Sequence, residues 1–280
     1  MGTSTSHGGP KDKKPLLPSW ALPPDDANGG ETLPVGDNAE NAAPGNGQEP
    51  VEPHFTWQSA KRQMTNFASS GGDREKIAKA GGAYVSAKGG ARAASLGSVS
   101  GQRVAAKVGS FLGTISSRGI NDAIASLGFM TAVGESAETV FAKIADALSP
   151  AGATREEVAA RKAVDDVLCV LYEKFIHEGE DISSLDRMTA EDISESIEQC
   201  VCSYIYHRWL EELGFRVEKG AITENAAVAL ENQMKDYVKE CVSLETDNID
   251  VLNFDWQGSQ GVQIIERVFN DAYSILEAGS

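Results

Sequence analysis

The sequence predicts an all-α protein, a helical bundle or layered helical array preceded by a long disordered N-terminal tail. Three observations carry that prediction. Residues 1–54 are dominated by Pro, Gly, Asn, Asp and Glu with no sustained apolar period, so they bury too little apolar surface to offset the entropy of ordering. Beyond them, apolar residues recur at three- and four-residue spacings behind helix-capping residues. Alternating strand patterns and hairpin signals are missing, and Phe215 to Val217 is the single candidate strand fragment.

Taken in order, the tail holds one apolar island, Leu16, Leu17, Trp20 and Leu22. Such a cluster in a solvated segment is an anchor for a partner groove or for the protein's own body. Helices are expected over 56–69 and 73–88, the second capped by Asp73. Next, Gly97, Gly101, Ala105, Gly109, Gly113 and Ser117 recur every four residues beside an apolar stripe of Val104, Val108, Phe111, Leu112 and Ile115. Glycine costs about 1 kcal/mol relative to alanine inside a helix. The regular spacing therefore implies either a smooth ridge against which another backbone packs closely, or a marginal helix that orders on binding a partner.

Helix signals sharpen after Gly119. Ser136 opens a helix stopped by Ser149-Pro150, and Thr154 with Glu157 forms a capping box before Val164, Leu168, Leu171 and Phe175. Thr189 with Asp192 caps a run through Ile193, Ile197, Cys200, Tyr204 and His207, which the sequence ends near Gly214. Thr223 starts a helix carrying Leu230, Met234, Tyr237 and Cys241. The last begins near Ser259 and carries Val262, Ile265, Phe269, Ala272 and Leu276.

Charge divides the chain into three regions. The net charge is -16, yet residues 1–55 carry 3 basic and 8 acidic side chains, 56–118 carry 10 and 2, and 119–280 carry 12 and 31. Taken with the helix pattern, the chain is expected to comprise a disordered tail (1–54), a Gly/Ala-rich basic helical region (55–150) and an acidic amphipathic helical region (151–280). The basic stretch either docks onto the acidic half or offers Lys88, Arg92, Arg103 and Lys107 to nucleic acid or an acidic partner. Its aromatic residues, Trp57, Phe67, Tyr84 and Phe111, are too widely spaced for a base-stacking platform.

Catalytic motifs are sparse. Walker A, G-x-G-x-x-G and H-E-x-x-H patterns do not occur. Cys200 and Cys202 stand about 200° apart on a helix and cannot share one metal, so neither a metal nor another cofactor is expected. Cys200 and His207 lie on one helical face, where packed core residues are the more common outcome than a catalytic pair. Glu178, Glu180, Asp181 and Asp186 read as a solvated acidic loop. The N-terminus lacks the apolar stretch of a signal peptide, and the longest uncharged body stretch, between Asp122 and Glu135, has 12 residues, against about 20 for a membrane span. A cytoplasmic chain with reduced cysteines is expected.

The amino end looks built for presentation. Removal of Met1 before the small Gly2 leaves an uncrowded α-amine, which titrates at about 7.7–8.0 and is partly an uncharged nucleophile near neutrality. Thr3, Ser4, Thr5, Ser6, Gly8 and Gly9 make a thin polar thread. The opening Met1-Gly2-Thr3-Ser4, then Gly8-Gly9-Pro10 and Pro15-Leu16-Leu17-Pro18-Ser19-Trp20, resemble the N-terminal signature of the QatB family, the associated proteins of the Qat anti-phage defence system. That resemblance implies a non-enzymatic bacterial cytoplasmic protein with a P-loop ATPase (QatA), a QueC-like enzyme (QatC) and a TatD-like nuclease (QatD) as neighbours. QueC enzymes activate a carboxy-deazaguanine with ATP, so the resemblance further implies Gly2 as acceptor of a deazaguanine-type group. Met1-Gly2-x-x-x-Ser6 also satisfies the myristoylation pattern, a reading that the bacterial source implied by the resemblance nearly removes.

Overall fold

A computed structural model describes residues 57–129, 135–176, 181–220, 223–246 and 249–279. The expected disordered tail, with Gly2, the Thr3–Gly9 thread and the Leu16–Trp20 island, lies outside the described residues. The described residues belong to one compact unit, Val51–Ser280. Among them all regular structure is helical, as the periodicity predicts: α1 (Trp57–Ala68), α2 (Arg74–Ala87), α3 (Ala91–Leu96), α4 (Val99–Arg118), α5 (Ile120–Ser126), α6 (Ala137–Leu148), α7 (Arg155–Phe175), α8 (Ala190–Gly220), α9 (Glu224–Cys241) and α10 (Ser259–Ala278). A 3-10 turn at Ile182–Arg187 precedes α8.

Helix α8 is the axis of the molecule. Every residue from Cys200 to Tyr206 is buried, the signature of a helix apolar all round and packed on all sides. It contacts α1, α4, α7 and α9, while α10 closes the far side against α2, α3, α4 and α9. Basic-region helices and acidic-region helices thus share a single core.

Several local features follow the sequence closely. The Asp73 carboxylate accepts from the Lys76 amide at 3.0 Å at the start of α2, and the Ser136 and Thr223 hydroxyls accept at the starts of α6 and α9. Thr154 and Glu157 form a reciprocal capping box. Asp192 accepts from the Thr189 amide at 2.7 Å, while Thr189 Oγ1 accepts from the Asp192 amide at 3.3 Å.

Elsewhere tertiary packing overrules the local signal. Helix α8 runs through Gly214 to Gly220, so the strand fragment expected at Phe215 to Val217 is helical. Leu213, Gly214 and Val217 are buried there, and a Cβ on Gly220 would stand 2.6 Å from the Ala68 methyl of α1. Burial against α1 outweighs a glycine cost of about 1 kcal/mol. Helices α3 and α5 and the 3-10 turn are too short to show a period.

The glycine ridge of α4 is helical and closely packed, but its partners are mainly aromatic rings rather than backbone. A Cβ on Gly101 would meet the Tyr204 ring at 2.7 Å, one on Gly109 the Trp256 indole at 2.8 Å, and one on Gly113 the Leu252 carbonyl at 3.4 Å. At the end of α4, Gly119 has φ +88°, a conformation costly for other residues. The Ile120 amide just beyond it donates to Asp186 at 2.6 Å. Asp186 is therefore a structural acceptor at the start of α5. Asp181 accepts from the Ile182 amide at 2.7 Å, and Glu178 and Glu180 lie outside the described residues.

Candidate functional site

The four basic residues singled out from the sequence are divided by the fold. Lys88, at the end of α2, is drawn into a half-enclosed ionic knot with α8. Its ammonium meets Glu212 Oε1 at 3.3 Å, and Arg208 reaches the same oxygen at 2.7 Å. The three side chains are only 13–14% exposed. The Lys88 ammonium also lies 5.4 Å from the centre of the Tyr84 ring, which stacks on Trp209 at 5.8 Å. Burial lowers the Lys88 pKa from its ordinary value, and the adjoining Glu212 carboxylate offsets this in part. Two cations sharing one carboxylate tie α2 to α8; removing Glu212 would strand Lys88, while Arg208 would keep Glu211 at 3.5 Å. The sequence hides this knot, because Arg208 and Glu212 at i,i+4 look like an ordinary surface pair.

Arg92, Arg103 and Lys107 remain at the surface, the first two exposed and the third half-buried. They take part in none of the described ion pairs. Arg103 lines a groove of about 340 Å³ between α3, the start of α4 and the start of α10, with Leu96, Val99, Gln102, Ala106, Gln257, Val262 and Glu266. Leu96, Val99 and Val262 are 66%, 50% and 39% exposed, three of the large apolar side chains that the described structure leaves at the surface. Periodicity places Val262 on the core stripe of α10. The structure leaves it at the edge, where the first turn of α10 overhangs the groove. No pattern in the sequence marks these three as neighbours, since α3 is short and α10 is distant in the chain.

The cysteine and histidine on α8 are held as core residues. Cys200 is fully buried, and burial pushes its thiol up to about 12. At neutral pH it stays a protonated thiol rather than the nucleophilic thiolate. Burial likewise pushes Cys202 to about 12 and Cys241 to about 11. His207 Nε2 is paired with Asp166 Oδ2 at 3.1 Å, and Lys235 approaches the same oxygen at 3.6 Å. Burial works to raise the Asp166 pKa, but hydrogen bonds from His207 and Ser203 prevail and hold it below the ordinary value. Together these contacts tie α8 to α7 and α9. Among the described residues no three His, Cys, Asp or Glu side chains group as a metal site, and no helix is long and apolar enough to cross a membrane.

A second cleft, of about 330 Å³, opens between α7, α8 and α9 beside Lys174, Asp192, Glu198 and Gln199. Its polar groups are largely engaged within the protein. Lys174 pairs with Asp192 at 2.6 Å and Glu195 at 3.0 Å, and Glu198 accepts from the Leu244 amide at 2.7 Å.

Comparison with known proteins bears on the helical body. No curated protein and no solved structure matches the chain. A family model described as "Qat anti-phage system associated protein QatB" matches residues 89–276, more than half of the chain and nearly all of α3 to α10. The match includes Arg92, Arg103, Lys107 and the residues that line the groove, whereas the amino-terminal residues that carry the resemblance in sequence fall outside it. The chain belongs to the QatB family of Qat anti-phage system associated proteins.

Proposed function

We propose that this chain is a non-catalytic component of a bacterial Qat defence complex, acting in the cytoplasm. In this reading its N-terminal glycine, Gly2 after removal of Met1, accepts a deazaguanine-type group from a QueC-like partner. The observation that carries the reading is the family match of the helical body to an associated protein of a defence system. The burial of the Cys200 thiol and the pairing of His207 with Asp166 support a binding role over a Cys/His catalytic one. The chemistry falls to the partner. ATP converts the carboxylate of a carboxy-deazaguanine to an acyl adenylate with release of pyrophosphate, the neutral Gly2 amine attacks its carbonyl carbon, AMP leaves, and the amine proton passes to solvent as the amide forms. Thr3, Ser4, Thr5, Ser6, Gly8 and Gly9 supply a thread narrow enough to enter an active site. Leu16, Leu17 and Trp20 supply an apolar anchor for the P-loop ATPase, the QueC-like enzyme or the TatD-like nuclease.

Intact-mass spectrometry with N-terminal fragmentation, on protein expressed with and without the QueC-like neighbour, tests this. Extra mass confined to Gly2, and present only with that neighbour, is expected. A bare Gly2 amine in both samples would sink the modification and leave a binding module.

A second reading is favoured by one observation, the cations Arg92, Arg103 and Lys107, which pair with no carboxylate among the described residues of a chain that is strongly acidic overall. It makes the basic region an adaptor surface for nucleic acid or an ATPase partner.

A further inference from the structure

The groove between α3, α4 and α10 has two properties that seldom coincide on an acidic protein. It exposes Leu96, Val99 and Val262, and its neighbourhood carries cations with no ion-pair partner among the described residues. Arg92 lies one helical turn before Leu96 on α3. On α4, Val99, Arg103 and Lys107 follow at four-residue intervals and so share a face. A single carboxylate, Glu266, lines the groove against them. Exposed apolar side chains gathered at one place, rather than scattered, mark an interaction surface.

The chemistry of the occupant follows from that pairing. Nucleic acid would use the cations, but it has no use for three aliphatic side chains, and the groove offers no aromatic ring for a base to stack on. A membrane surface would require many more cations. A protein segment with one or two bulky apolar residues flanked by Asp or Glu satisfies both halves of the site. Its apolar side chains would fill the groove, and its carboxylates would meet Arg92, Arg103 and Lys107, which give register and partner choice.

We propose that this groove is a docking site for an acidic, apolar segment of a partner protein in the defence complex. The proposal rests on the adaptor reading of the basic region and is independent of any modification at Gly2. Leu96, Val99 and Val262 contribute the buried contact, and Arg103 is the cation closest to it.

The test is photo-crosslinking in the full chain, expressed together with its genomic neighbours, with Val99→p-benzoylphenylalanine in the groove and Val228→p-benzoylphenylalanine on α9 as the exposed control. The crosslinked peptide is sequenced by mass spectrometry. An adduct from another protein is expected, bearing bulky apolar residues flanked by Asp or Glu. Its yield should drop about fivefold or more with Arg103→Glu and persist with Arg103→Lys. Arg103 has no ion-pair partner among the described residues, so the thermal midpoint should not move. A nucleic-acid adduct would keep the adaptor reading and overturn this partner chemistry. So would an adduct within this chain, a partner peptide without carboxylates, or a yield indifferent to Arg103→Glu. A yield at Val99 no higher than at Val228 would overturn the adaptor reading as well.

Discussion

Three glycines on one helix face show how a residue's meaning depends on what stands opposite it. At Gly101 and Gly109 an added methyl would press on Tyr204 and Trp256 at 2.7 and 2.8 Å, and both aromatic side chains are fully buried. Overpacking of this kind costs about 1–3 kcal/mol, which outweighs the gain of about 1 kcal/mol from replacing a helical glycine. At Gly113 the nearest atom is at ordinary contact distance. Gly101→Ala and Gly109→Ala should therefore lower stability in urea unfolding, whereas Gly113→Ala should be neutral or stabilising by up to about 1 kcal/mol. Equal effects at all three would remove the aromatic ridge. The four-residue spacing was legible in the sequence, but the identity of the opposing rings was not. Tyr204 and Trp256 lie roughly 100 to 150 residues further along the chain.

At the scale of elements, the start of α8 joins a cap to an ion pair. Asp192 accepts from the Thr189 amide and hydroxyl at 2.7 Å and pairs with Lys174 of α7 at 2.6 Å. Burial alone would raise its pKa, but the hydrogen bonds from Lys174 and Thr189 outweigh it and hold the carboxyl below its ordinary value. A carboxylate whose folded pKa lies below its unfolded value stabilises the fold fully above the unfolded pKa, about 3.9. That contribution is lost as pH falls through the lower folded value. Asp192→Asn should cost about 1–2 kcal/mol at pH 7. It should also flatten the decline in stability below about pH 4, followed by chemical denaturation across pH. An unchanged acid limb would show that Asp192 does not couple folding to protons. Capping residues of this kind made most helix starts legible, because their hydrogen bonds are local. The end of α8 was not, because Gly220 is held by Ala68 of α1, outside any local window.

For the whole molecule, compositional regions and structural units differ. The sequence separates a basic stretch from an acidic one near residue 150, yet α4 and α10 pack together and both α1 and α4 pack on α8. The Lys88–Glu212 and Arg74–Glu240 pairs join basic-region helices to acidic-region ones. Unfolding of the helical body should accordingly be one cooperative transition, with calorimetric and van't Hoff enthalpies agreeing within about 10%. Two resolved transitions assignable to the two regions would contradict a shared core. Arg92, Arg103 and Lys107 take part in none of the ion pairs among the described residues, and the docking proposal draws on these three.

The existence of the longer helices, most of their starts and the apolar stripes were determined by the sequence, because caps and three-to-four spacing act within a few residues of each other. The amino-terminal resemblance also named the family whose model matches the helical body. Tertiary structure alone decided that Lys88 is spent inside the ionic knot, that Val262 is surface rather than core, and that Leu96, Val99 and Val262 meet in one groove. Those outcomes depend on contacts between residues up to about 170 positions apart, and hydrophobic burial fixes them by total packing rather than by local pattern.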